Sequence, residues 1–101
     1  MRRIQRAGEV YVSAASGWKM AIKAALGKLV MTSPLAPAVA DYGFTPLAVS
    51  LEHADAVRSL PQHHRDPFDR MLIAQARVEG LAIVSRDRAL SAYQVQVQVG
   101  V

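Results

Sequence analysis

Apolar residues along this chain follow two rhythms, and the switching between them predicts an α/β fold. Glu9-Val10-Tyr11-Val12-Ser13 is a short run of β-formers, read as a strand, while residues 1–8 read as the frayed end of a helix. Ser13 or Ser16 caps a helix running to about Leu26, where Gly27 supplies the stop. Trp18, Ile22, Ala25, Leu26 and Leu29 recur along it at helical spacing and predict a buried stripe with Trp18 in the core, and Lys19, Lys23 and Lys28 fall mostly off that stripe. Pro34 and Pro37 bracket the start of a shorter, Ala-rich helix that ends near Gly43. Phe44 to Val49 reads as a strand, and Ser50 opens another helix with a partial capping box, since His53 stands where Glu or Gln is usual.

The second half repeats the alternation. Leu60 to Arg65 is a polar loop, and Phe68 to Glu79 is the best-defined helix, with Met71, Leu72, Ala76 and Val78 apolar and Gly80 as its stop. Leu81-Ala82-Ile83-Val84 is an unbroken apolar run, as expected of a strand covered on both faces. A short helix from Arg86 to Tyr93 leads to Val95-Gln96-Val97-Gln98-Val99, whose strict alternation predicts a half-exposed edge strand. Strands separated by helices imply one three-layer α/β/α domain over residues 1–101, around a mainly parallel sheet. No repeat, low-complexity tract or domain boundary interrupts it.

Composition narrows the function. The chain has 101 residues, 51% of them hydrophobic, enough for a modest core. A net charge of +4 and a pI near 10.0 favour an anionic partner such as nucleic acid. The absence of cysteine excludes disulfides, thiolate metal sites and thiol redox chemistry. No apolar run has the length of a membrane span, and Glu9 and Ser13 break up the stretch after the basic start. No signal peptide is therefore expected, and the cytoplasm is the default location.

Acidic residues supply the candidate chemistry. Asp66 and Asp69 stand three residues apart at the start of a helix, on one side of its first turn, and Asp87 comes after a short apolar strand. Carboxylates gathered at strand ends and helix starts are what a hard divalent cation requires. Each also has a purely structural reading: Asp66 as an N-cap before Pro67, Asp69 as a complement to the helix dipole, Asp87 as a cap. His63 and His64, adjacent in a loop, are expected to be solvated, and His53 to be structural.

Several of these segments together resemble a known family. Glu9 to Leu29, with Trp18, Ala21, Ile22, Leu26 and Gly27, is similar to the second strand and third helix of VapC-type PIN domains. Phe44 to Ala54 resembles their central strand and next helix, His64 to Ala76 and Val84 to Asp87 their late catalytic segments, and Tyr93 to Val99 their closing strand. The resemblance spans roughly residues 8–99, with its motifs in the family's order. It implies a bacterial toxin ribonuclease of a type II toxin–antitoxin system, which hydrolyses RNA phosphodiester bonds with Mg2+ or Mn2+. Such an ion supplies a nucleophilic water and shields the charge that builds on the phosphate.

By this resemblance Asp69 and Asp87 match the third and fourth catalytic acids, and Asp66 an additional acidic, metal-binding position. Arg65, Arg86 and Arg88 flank them as contacts for RNA phosphates. The implied partners are RNA, a cognate antitoxin and a second copy of the chain. The sequence departs from the family twice. The family's Asp-bearing first strand lies upstream of the point where this chain starts, so the fold is expected to lack that strand. Lys19 also stands where the family has a metal-binding Glu, an expected degenerate position, with its ammonium pairing Asp69 or Asp87. The alternative implied is a catalytically inactive PIN fragment that only binds an antitoxin or dimerises.

Overall fold

The computed structural model describes residues 3–6, 8–61, 66–84 and 97–98. Their order is β1 (Arg3–Arg6), β2 (Glu9–Ser13), α1 (Ala14–Ala25), α2 (Leu35–Asp41), β3 (Thr45–Leu47), α3 (Leu51–Arg58), α4 (Pro67–Glu79), β4 (Ala82–Val84) and β5 (Val97–Gln98). The strands form one sheet in the order β3-β2-β1-β4-β5. β2 pairs parallel with β3, and β4 with β5, while β1 lies antiparallel to both β2 and β4. Four strands thus share a direction and only the central one opposes them, so the expected α/β sheet is present but mixed, with two parallel and two antiparallel pairings. β5 lies at the sheet's edge, as its alternation predicts.

The first eight residues are a correction. They were expected to end a helix, and Arg3–Arg6 is instead the strand in the middle of the sheet. Gly8, at φ 86°, makes the tight reversal that returns the chain antiparallel into β2. A vacant centre would leave the facing N–H and C=O groups of β2 and β4 without partners, and pairing with Arg3–Arg6 satisfies both rows. The place expected to lack its strand is therefore filled. The sequence gives little sign of this, because Arg-Ile-Gln-Arg carries a single apolar residue.

That residue, Ile4, anchors the core. It lies opposite Tyr11 on one side and Ile83 on the other, forming a row across the sheet. Ile73, Ala74 and Ala76 of α4 pack on this face with Leu60 and Leu81, and Tyr11, Leu47, Ala56 and Val57 close its margin. α4 runs to Gly80, whose left-handed conformation (φ 68°) ends the helix and turns the chain into β4.

The stripe on α1 is the second correction. Trp18 is 65% exposed and Leu26 64%, and Ile22 and Leu29 are exposed as well. The buried side of α1 carries Ala15 and Ser16 instead. Small residues let α1 approach its neighbours closely, and the larger apolar stripe is left facing outward, with no described element over it. Trp18 packs edge to face with Phe68, at 5.3 Å between ring centroids, and walls apolar hollows with Leu35, Val39, Val57 and Met71.

Candidate functional site

The junction between α1 and the first turn of α4 gathers the described members of the predicted acidic group. Ser13 caps α1 by accepting a hydrogen bond from the Ala15 amide at 3.0 Å. From that fixed start, Ser16, Lys19, Met20 and Lys23 recur at helical spacing on the side turned towards α4. Across from them, Asp66 is the N-cap of α4 and Pro67 its first helical residue. Asp66 Oδ1 accepts from the amides of Phe68 at 2.9 Å and Asp69 at 3.4 Å.

Asp69, in the same first turn, is only 5% exposed. Together with Ser16, Lys19, Met20, Lys23 and Phe68 it lines a hollow of about 200 Å³. Lys19 lies in this hollow and donates to Asp66 Oδ2 at 2.8 Å, with its Nζ 5.8 Å from the centroid of the Phe68 ring. The partner of Lys19 is thus Asp66, where Asp69 or Asp87 was expected. The extra carbons of Lys19 carry its ammonium beyond the helix start to the capping carboxylate.

The electrostatics derive from this arrangement. Partial burial alone would raise the Asp66 pKa. The Lys19 ammonium and the amides of Phe68 and Asp69 outweigh it and hold the carboxyl below its ordinary range. Both Asp66 oxygens are engaged, one on the helix amides and one on Lys19.

Among the described residues, no group of three or more His, Asp or Glu side chains stands close enough to hold a metal ion. With an ammonium hydrogen-bonded to one acid and a second lysine in the hollow, the described side chains do not fit Mg2+ or Mn2+. Asp87, Arg65, Arg86 and Arg88, with His63 and His64, lie outside the described residues, as does the expected short helix from Arg86 to Tyr93.

Two sets of contacts brace α4, and neither the reach of Arg70 nor the His53–Glu79 bond was anticipated. Arg70, one turn below Asp66, is 9% exposed and reaches back to the end of α3. Its Nη1 donates to the Pro61 carbonyl at 2.9 Å, and Nη2 to those of Val57 at 3.2 Å and Leu60 at 3.4 Å. The guanidinium adds a second bond to the Val57 carbonyl of α3, satisfies those of Leu60 and Pro61 just beyond it, and pins the start of the loop leading to Asp66. A buried arginine in the first turn of a helix is improbable from sequence, and only its place in the Asp66-Pro67-Phe68-Asp69-Arg70 run marked it.

The second support centres on His53. The capping box read as partial is complete: Ser50 Oγ accepts from the His53 amide at 3.1 Å, and His53 Nδ1 accepts from the Ser50 amide at 3.0 Å. With Nδ1 an acceptor, Nε2 is left as the donor, to Glu79 at 2.8 Å. His53 therefore ties the start of α3 to the end of α4 and is structural, as expected. Gln75, fully buried beside it, donates to the Ala48 carbonyl at 3.3 Å.

A mixed sheet with helices packed against it, and an acid-bearing helix start set against a second helix, define an α/β domain with a candidate site at that junction. The chain belongs to the PIN domain family, whose profile matches residues 1–95. PIN domains commonly bind RNA and generally use divalent metal ions. No curated protein and no solved structure matches the chain significantly. No helix among the described residues is long and apolar enough to cross a membrane.

Proposed function

We propose that this chain is a VapC-like PIN domain, the toxin-type partner in a type II toxin–antitoxin pair, which engages RNA and its antitoxin while its hydrolytic centre is silent. The observation that carries this reading is the 2.8 Å ion pair between Lys19 and Asp66. An ammonium is bound at the place where the family resemblance calls for a metal-holding carboxylate. The net charge of +4 and Arg65, Arg86 and Arg88 support contact with RNA phosphates. The outward apolar stripe of Trp18, Ile22 and Leu26 supports a protein partner, an antitoxin or a second copy of the chain.

A second reading, an active Mg2+- or Mn2+-dependent endoribonuclease, draws support from the position of Asp69 in the hollow. In it Asp69 and Asp87 are the metal-holding catalytic pair, and Asp66 joins them once Lys19 is displaced. RNA cleavage by the purified chain with Mg2+ or Mn2+, beside an Asp69→Asn variant and with RNA binding measured in parallel, separates the two. Binding without metal-dependent cleavage is expected. Cleavage that Asp69→Asn abolishes would replace the first reading with the second, and absence of RNA binding would refute both.

A further inference from the structure

Lys19 has the surroundings of a bound cation. Its Nζ is 2.8 Å from Asp66 Oδ2 and 5.8 Å from the centre of the Phe68 ring, and its side chain is only 35% exposed. An ammonium between a carboxylate and an aromatic ring is held by charge from one side and by the ring's negative face from the other. The same hollow is lined by Asp69, three residues along the helix from Asp66, and by Lys23. A divalent ion held here by one or two carboxylates, with water as its other ligands, would meet the Lys19 ammonium already seated on Asp66.

We propose that Lys19 is the resident cation of this site. Its ammonium neutralises Asp66 beside Asp69, fixes the capped first turn of α4, and keeps divalent ions out of the hollow. The resting protein thus carries its own cation on Asp66, and Asp66 becomes available to a metal only when this charge is removed. The proposal concerns cation occupancy and does not depend on RNA being the substrate.

The test uses Mn2+ as the probe, with free Mn2+ measured by electron paramagnetic resonance on the full chain. Lys19→Glu and Lys19→Met are compared with wild type, and far-UV circular dichroism reports the fold. Lys19→Glu is expected to bind Mn2+ at least roughly tenfold more tightly than wild type, since it replaces a repelling charge with an attracting one a few ångströms away. Lys19→Met should move in the same direction by less, and adding Asp66→Asn to Lys19→Glu should remove most of the gain. If Lys19→Glu fails to fold, Lys19→Met decides. Wild-type Mn2+ binding that neither substitution strengthens would overturn the proposal, as would folded variants with no gain. Either result leaves RNA binding and cleavage to be judged separately.

Discussion

Replacing Arg70 with Met keeps most of the side chain's length and packing while removing every donor. The guanidinium makes two good hydrogen bonds, to Pro61 at 2.9 Å and Val57 at 3.2 Å, and a weaker one to Leu60 at 3.4 Å. Hydrogen bonds to a charged group contribute about 1.5–3 kcal/mol each, and a cation at a helix C-terminus adds about 0.3–1 kcal/mol. Pro61 is exposed, so water replaces part of the first bond, whereas Leu60 is buried and its carbonyl has no such recourse. The expected loss is about 3 kcal/mol, a large share of the roughly 5–15 kcal/mol that holds a domain together. In a thermal melt this corresponds to a Tm lowered by roughly 15 °C. Arg70→Lys keeps the charge but not the planar fork, and should recover about one third of the loss. Urea unfolding monitored by circular dichroism measures both. Arg70→Met within about 0.5 kcal/mol of wild type would refute the reasoning, because the carbonyls of Val57, Leu60 and Pro61 would then not need the guanidinium.

The helix caps should respond measurably to pH and to substitution. Asp66 has a folded-state pKa below its unfolded value, so its contribution is fully present above the ordinary carboxylate range and is lost as pH falls through the folded pKa. Asp66→Asn should therefore flatten the fall in stability below about pH 4, which urea titrations at several pH values will show. An equally steep fall in the variant would contradict the ion pair with Lys19. His53→Ala should destabilise by about 2 kcal/mol, through the lost cap and the lost bond to Glu79. It should also speed hydrogen exchange at the Ser50 amide, whereas His53→Gln should restore protection at that amide without regaining the Glu79 contact.

How much of the fold and site was legible in the sequence depended on whether a residue's role was local. The helix from Pro67 to Glu79 was legible because Asp66, Pro67 and Gly80 punctuate it and its apolar positions keep one period. The strands at Glu9–Ser13 and Ala82–Val84 were equally plain in their β-branched and apolar runs. Arg3–Arg6 was not, because its pairing is decided by the vacancy between two other strands and not by its own side chains. Trp18 misled for a related reason: helical spacing identifies a stripe but not whether anything lies over it. At the site, Asp66 and Asp69 were legible as a pair on one turn. That Lys19 reaches the capping acid and not its neighbour required the relative placement of two helices, which no local pattern encodes.

The reversed central strand also bears on the order in which the chain assembles. Parallel neighbours must wait for a crossover helix, whereas β1 and β2 are joined by a turn at Gly8 and can meet as a hairpin, an event of about 1–10 μs. The middle of this sheet is thus the part with the least loop entropy to lose, and it presents Ile4 early as a template. β4 reaches that template only after both helix-containing halves of the chain have been drawn together, since Ile83 lies far along the chain from its partner Ile4. The slow step of folding then falls on the β1–β4 seam, and weakening that seam should slow folding more than weakening the hairpin.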